Sequence, residues 1–325
     1  MTKISFIVVA YNAAQSLDAL LGDLLAQTVD PRQLEALLVD SASTDNTAQI
    51  MRRFAERAPF EVKLLENPKR WLACGINVAL RAATGDAIIR LDARMPRISK
   101  NLDALARGKD IVGGSVIGAD PDNAWEAVTR ALDTSRFCGG AAPFRNGGEA
   151  RYVDTLAYAL YRREVYDRVG FYDERLRRTE DNDMHYRMRK AGYRFYFSPD
   201  IVSWHAARKT LRGQLSRNGA TATGLGAQCG FSRVCFAPRH LVPALFVLAL
   251  IALLLLLPLC RWPLLTMLTL YGALDLFFAA KSALEAPRGK LLTFICLPFL
   301  FPVVHIVYGA GTLCGLLAGK AQPHA

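Results

Sequence analysis

The sequence predicts an α/β chain with a mostly parallel central sheet, followed by a C-terminal transmembrane helical anchor. Two patterns predict it. From residue 1 to about 110, short apolar runs alternate with helical patterns, which builds βαβ units with helices on both faces. After residue 240 the chain becomes almost uncharged, and the whole sequence is 52% hydrophobic with a mean hydropathy of +0.15.

The first apolar run, Ile4–Ala10, has strand length and ends at Tyr11-Asn12 with no cleavage site, so it is no secretory signal. Ala14–Gln27 reads as a helix with Leu17, Leu20, Leu21, Leu24 and Leu25 on one face. Strands follow at Leu34–Asp40, Val62–Glu66 and Ala87–Leu91. Between them lie helices at Thr44–Arg57, with Asp45 in its first turn, and Leu72–Ala83. Ile111–Ile117 is a further strand. Pro121–Arg151 is Gly-rich, with one helical run near Trp125–Ser135. Tyr161–Val169 and Asp181–Ala191 read as helices, and Arg194–Ser198 as a strand closed by Pro199.

In the tail, Leu241–Leu259 carries no charge, Trp262–Ala280 carries only Asp275, and Leu291–Gly319 only His305. Three bilayer spans fit these lengths. Pro258, Pro298 and Pro302 leave a buried helical hairpin as the alternative. The sequence divides into a domain over 1–220, a basic juxtamembrane segment over 221–240 and a membrane region over 241–319.

The net charge is +11. Arg208, Lys209, Arg212, Arg217, Arg233 and Arg239 lie between His205 and His240 with no acid among them, directly before the apolar tail. Lys281, Arg288 and Lys290 lie between the second and third spans. Basic segments beside spans favour an anionic cytoplasmic leaflet, which places the large domain in the cytoplasm at the inner membrane. Nucleic acid is not an expected partner, since no zinc-finger spacing, RNA-binding aromatic signature or basic heptad array occurs. The seven cysteines form no C-x-x-C and fit a reducing compartment.

No G-x-G-x-x-G follows the first strand, and no G-x-x-x-x-G-K-[ST] occurs, which argues against dinucleotide oxidoreductases and P-loop ATPases. Asp40 and Asp92 each follow a strand, where ligands of parallel sheets bind. There they accept hydrogen bonds from a ribose or base, hold a divalent cation, or simply cap the next helix. Thr179-Glu180-Asp181-Asn182-Asp183 opens a helix. Acids there suit the dipole, but three within four residues exceed what capping needs. Clustered carboxylates raise one another's pKa, which suits a general base.

Five segments stand out together: Ser5–Asn12, Val39–Thr47, Asn67-Pro68 through Gly75-Ile76-Asn77 to Asp86, Arg90-Leu91-Asp92-Ala93-Arg94, and Glu180-Asp181. In this order and spacing they resemble the inverting family 2 glycosyltransferases of the GT-A fold, with Arg90–Arg94 in the place of the D-x-D motif. The resemblance spans residues 4 to about 220. Val153-Asp154-Thr155, Tyr161–Val165, Tyr186–Gly192 and Arg239–Pro243 are similar to the succinoglycan-type exopolysaccharide glucosyltransferases within it. The resemblance implies transfer of a sugar, glucose first among candidates, from a UDP-sugar donor to a lipid-linked saccharide acceptor. A catalytically inactive nucleotide-sugar-binding scaffold is the alternative.

By the same resemblance, Tyr11, Asn12 and Asp40 hold the uridine and Arg70 lies near the diphosphate. Asn77 and Asp154 fall in matching substrate-binding segments. Asp92 lies at the metal–diphosphate centre, and Asp181, preceded by Glu180, takes the acceptor proton. Arg94 stands where family members carry Asp or His. A cation cannot ligate a metal, so either Asp92 and a distant ligand, His205, hold Mg²⁺ or Mn²⁺, or Arg94 replaces part of its charge. His205 is otherwise an interface histidine. Gln214-Leu215-Ser216-Arg217-Asn218 lacks the Trp of the processive Q-x-x-R-W motif, which implies one sugar per encounter.

Overall fold

The computed structural model describes residues 3–91, 108–118, 120–138, 142–145, 147–205, 210–228 and 238–319. The chain divides into two compact units, one of residues 1–117 with 143–205, the other of residues 118–142 with 206–325.

The first unit is built on one eight-stranded sheet. Its first half alternates as expected: β1 (Ile4–Ala10), α1 (Ala14–Leu25), β2 (Leu34–Asp40), α2 (Thr47–Arg57), β3 (Glu61–Glu66), α3 (Leu72–Ala82) and β4 (Ala87–Leu91). Then come β5 (Ile111–Gly118), β6 (Arg151–Val153), β7 (Leu160–Arg162), α5 (Arg163–Val169), α6 (Glu180–Lys190) and β8 (Phe195–His205); α4 (Ala124–Thr134) lies in the second unit. The strand order is β3-β2-β1-β4-β7-β5-β8-β6. β1 pairs in parallel with β2 and β4, and β2 with β3, while β7 runs antiparallel to β4 and β5. The sheet is therefore mixed, with a parallel half that matches the expectation.

Strand alternation divides the core. Ile4, Phe6, Val8, Ile89 and Leu91 pack on one side with Leu17, Leu21, Leu24 and Phe54. Ile7, Leu37, Val39 and Ile88 pack on the other with Ile76, Leu80, Met184 and Met188. Gly75 lets α3 approach β1, because a Cβ there would stand 2.6 Å from Val9 Cγ1. At the amino end of the sheet, the buried Glu35 accepts from Ser5 Oγ at 2.5 Å, Thr84 N–H at 2.6 Å and Lys63 Nζ at 3.0 Å.

Several elements differ from the expected ones, β6 and α7 having no predicted counterpart. Residues 160–162 form β7 rather than the start of a helix, since Ile88↔Tyr161 and Ile89↔Leu160 pairing gives them a ladder. So short a strand, running straight into α5, has no period of its own. β8 continues through Pro199 to His205. α2 starts at Thr47, and Asp45 lies ahead of it, accepting from Thr47 N–H at 3.0 Å and from Ala14 N–H at 3.1 Å. One carboxylate thus satisfies the starts of both α1 and α2.

The second unit contains α4, α7 (Leu211–Gln228), α8 (Pro238–Leu256), α9 (Trp262–Glu285) and α10 (Lys290–Gly319). α4 and α7, which the sequence places in or beside the first domain, pack here. Val128 and Leu132 of α4 join Ala279, Leu297, Phe301 and Val304 in one apolar cluster. α7 meets α10 through small residues: a Cβ at Gly226 would stand 2.2 Å from Thr312 O, and one at Gly315 2.2 Å from Thr223 O. α9, and α10 to Ala318, are long and apolar enough to cross a bilayer. α8 is shorter. His305 Nδ1 meets Tyr271 OH at 2.9 Å and Nε2 donates to Phe137 O at 2.7 Å.

Candidate active site

Parallel strands in the order 3-2-1-4 leave a crevice beyond their carboxyl ends, at the switch point between β1 and β4. The backbone is strained along this edge. Asn12 after β1 (φ 47°), Ala42 after β2 (φ 55°) and Arg70 after β3 (φ 65°) all take left-handed conformations, as does Thr179 (φ 66°) just ahead of α6. Each such non-glycine residue costs on the order of 1–3 kcal/mol, and such strain collects at ligand sites.

Polar contacts fix these turns. Asn12 Oδ1 accepts from Thr44 N–H at 2.8 Å, and Asn12 N–H donates to Ser43 Oγ at 3.0 Å. Ser43 N–H points at Asp40 Oδ1 at 3.3 Å, and Asn67 N–H donates to Asp40 O at 2.8 Å. The ends of β1, β2 and β3 are thereby tied together. Arg70 lies over the half-exposed ring of Tyr11, 5.8 Å from its centroid. The next residue, Trp71, carries Arg177 over its ring at 4.4 Å. Four expected donor contacts, Tyr11, Asn12, Asp40 and Arg70, thus gather on one edge, with Arg70, Arg177 and Arg178 exposed as positive charge beside it.

Asp181 sits in the first turn of α6. Both its oxygens accept from Arg90 of β4, Oδ1 from Nη1 at 2.5 Å and Oδ2 from Nη2 at 3.0 Å. This bond brings the acid to the carboxyl edge of the sheet, one residue inside the end of β4. Burial alone would raise the Asp181 pKa. The Arg90 charge, His185 and the hydrogen bonds outweigh it, so the carboxyl titrates below its usual range. The expected rise of the Asp181 pKa therefore does not occur, and the neighbouring acids turn to different surroundings. Asp183 accepts from Arg187 Nε at 2.8 Å, and Glu180 is buried at 8% exposure. One turn on from Asp181, His185 lies between Thr155 Oγ1 and Tyr161 OH, each at 2.8 Å, and burial depresses its pKa to about 4. It is a neutral support behind the acid.

Asn77, expected to touch substrate, is 1% exposed and fully engaged within the protein. Its Nδ2 donates to Tyr172 O at 2.8 Å and Glu174 Oε1 at 3.1 Å, and its Oδ1 accepts from Tyr172 N–H at 2.9 Å. Asn77 therefore anchors the loop that leads to Asp181, and its amide has no donor left for a sugar. Asp154 follows β6, and its main-chain oxygen accepts from Arg189 Nη1. Asp92 and Arg94 lie outside the described residues, as does the side chain of His205. Among the described residues no three His, Cys, Asp or Glu side chains gather as a metal site. Arg90 was missed in the sequence, although a signal existed: it shares the inward face of β4 with Ile88, where an apolar residue is the rule.

The Q-x-x-R-like residues turn to their own unit. Gln214 Nε2 points at Thr129 O at 3.4 Å, and Arg217 pairs with the buried Asp133. Both contacts lie on α4.

The comparisons with known proteins agree with this fold. The sequence profile described as Glycosyl transferase family 2 matches residues 5–170. The chain belongs to glycosyl transferase family 2, with the GT-A fold. It is 31% identical over 208 residues to the succinoglycan biosynthesis protein ExoA of Rhizobium meliloti (strain 1021), covering 61% of each chain. It thus spans less than two thirds of that relative. A dolichyl N-acetyl-alpha-D-glucosaminyl phosphate 3-beta-D-2,3-diacetamido-2,3-dideoxy-beta-D-glucuronosyltransferase of Methanococcus voltae is 22% identical over 99% of both chains. Among solved structures, a mannosyltransferase of Pyrobaculum calidifontis in complex with GDP-Man and Mn²⁺ superposes with a TM-score of 0.62 at 22% identity, over 94% of this chain and 87% of that one.

Proposed function

We propose that this chain is a membrane-anchored inverting glycosyltransferase. It moves a sugar, glucose first among candidates, from a UDP-sugar to a lipid-linked saccharide at the cytoplasmic face of the inner membrane. The observation that carries this is Asp181, held ionised at the carboxyl edge of the sheet beside the strained turns of β1, β2 and β3.

In this reading Tyr11, Asn12 and Asp40 hold the nucleotide, Arg70 faces its diphosphate, Asp154 belongs to the substrate-binding set, and Glu180 accompanies Asp181 in the catalytic acidic motif. The acceptor oxygen attacks the anomeric carbon, and the hydroxyl proton passes to Asp181. The bond to the diphosphate breaks with its electron pair going to the leaving oxygen. One base suffices for inversion, and such a base contributes ~10²–10⁴-fold in rate. Either Mg²⁺ or Mn²⁺, held by Asp92 and His205, would neutralise charge on the diphosphate, or Arg94 would replace part of that charge. The lipid-linked acceptor is supported by the Methanococcus voltae relative, whose name gives a dolichyl phosphate-linked sugar as the acceptor. With no Trp after Arg217, a single sugar is added per encounter.

The membrane reading rests on apolar surface. Leu255, Leu259, Phe277, Leu284, Leu291 and Phe299 are each more than 60% exposed, too much apolar area for helices facing water. In this division residues 1–220 form the catalytic domain, 221–240 the basic segment that meets anionic lipid, and 241–319 the membrane region.

The test is nucleoside diphosphate release by membranes carrying the protein, with a lipid extract present. UDP-glucose, UDP-galactose, UDP-N-acetylglucosamine and GDP-mannose are offered with Mg²⁺, Mn²⁺ or EDTA. Release from a UDP-sugar is expected. Silence with every UDP-sugar would overturn the proposed donor.

A further inference from the structure

We propose that Arg90 is a positioning residue that sets the orientation of the Asp181 carboxylate for transfer. This deepens the proposed function and rests on it.

Arg90 stands on a central strand, at a position whose β1 neighbour in register is Ile7 and whose same-face neighbour is Ile88. An arginine there is unfavourable unless its charge is met. Among the described contacts it is met by a two-pronged one to the Asp181 carboxylate, from Nη1 to Oδ1 at 2.5 Å and from Nη2 to Oδ2 at 3.0 Å. The planar guanidinium matches a carboxylate in this geometry, and the match removes the rotation about χ2 that an aspartate otherwise has.

The pair is also directional. Arg90 keeps 14% of its side-chain exposure and Asp181 41%. The guanidinium is the inner partner, fixed to the sheet, and the acid is the outer one. Each carboxylate oxygen gives one lone pair to Arg90 and retains another for an incoming hydroxyl. Asp181 thus gains a fixed direction from the most rigid element nearby, and a helix start becomes part of the carboxyl edge. Lysine cannot reproduce this, because it offers a point charge in place of a fork.

The test is a double-mutant cycle on the full chain in detergent, with UDP-glucose, or the panel donor turned over fastest, and a membrane lipid extract. The variants are Arg90→Met, Arg90→Lys, Asp181→Asn, and Arg90→Met and Arg90→Lys each combined with Asp181→Asn. If Arg90 acts through Asp181, Arg90→Met lowers kcat by about 10²-fold with little change in donor KM, and Arg90→Lys by about 10-fold. In the Asp181→Asn background, Arg90→Met costs almost nothing further. Losses that multiply in the double variant, or a donor KM that rises while kcat holds, would overturn the role. Circular dichroism reports folding; should Arg90→Met unfold, the Arg90→Lys cycle gives the same answer. Wild type that turns over no donor would remove the proposed function and this role with it. A wild type that turns over donor with an additive cycle would remove only the role of Arg90.

Discussion

Asn77 and Tyr172 exchange two buried hydrogen bonds across 95 positions of sequence, at 2.8 and 2.9 Å. A side-chain amide here imitates a peptide group and pairs with the loop as a strand would. Glu174 adds to the same clasp, accepting from Lys69 Nζ at 2.7 Å, and Lys69 with Asn77 holds its carboxyl down at about 2.

Asn77→Ala leaves the Tyr172 N–H and C=O without partners, which costs about 1–3 kcal/mol. The expected result is a lower melting temperature and a lower kcat, since the loop leads to Asp181. Donor KM should change little, because the amide never meets the donor. A large rise in KM with unchanged melting would return Asn77 to the substrate.

Glu35 gives a pH-dependent prediction. Burial pushes its pKa up, but hydrogen bonds from Ser5, Thr84 and Lys63 outweigh this and hold it at about 2, against an ordinary value of 4.5. A depressed carboxyl adds stability above its unfolded pKa and loses it as pH falls through the folded one. The contribution is roughly 3 kcal/mol at neutral pH and declines between about pH 4.5 and 2. Melting of Glu35→Gln should therefore lie below wild type at pH 7 and converge with it near pH 2–3. A gap that stays constant with pH would contradict this.

How much of this was legible follows from which interactions are local. β1, β2 and β4 are bounded in the sequence as in the fold, because buried parallel strands are continuous apolar runs closed by polar residues. Asp40 and Asp181 could be singled out because strand ends and helix starts mark the ligand edge, whereas Arg70 was implied only by the family resemblance. The Arg90–Asp181 and Asn77–Tyr172 pairs could not, since each joins positions more than 90 residues apart and no local period encodes a partner. Asn77 looked like a binding residue because it lies in a matching segment, and only its packing reveals its partners. α7 was passed over because its glycines and polar residues weaken any helical pattern, while its small residues gain meaning only against α10.

Arg217 offers a separate check on the Q-x-x-R-like stretch. Arg217→Ala removes the guanidinium partner of the buried Asp133 and should cost up to about 3–5 kcal/mol, with much of it recovered by Asp133→Leu with Arg217→Leu. Melting of the two variants measures this. Donor affinity should hold in both, which would fail if Arg217 served the donor.

The exposed apolar helices predict tight membrane association. The protein should remain in the membrane pellet after an alkaline carbonate wash and dissolve only in detergent. Release by carbonate would place α9 and α10 on a protein or interfacial surface instead.

The most direct measurement follows labelled sugar from its donor into an extractable lipid. Membranes carrying wild type or Asp181→Asn are incubated with radiolabelled UDP-sugar, and the organic phase is counted. Wild type is expected to move label into lipid, with Asp181→Asn at least about 10²-fold slower. Equal transfer by the two proteins would contradict Asp181 as the base, and label that never leaves the donor would contradict transfer to lipid itself.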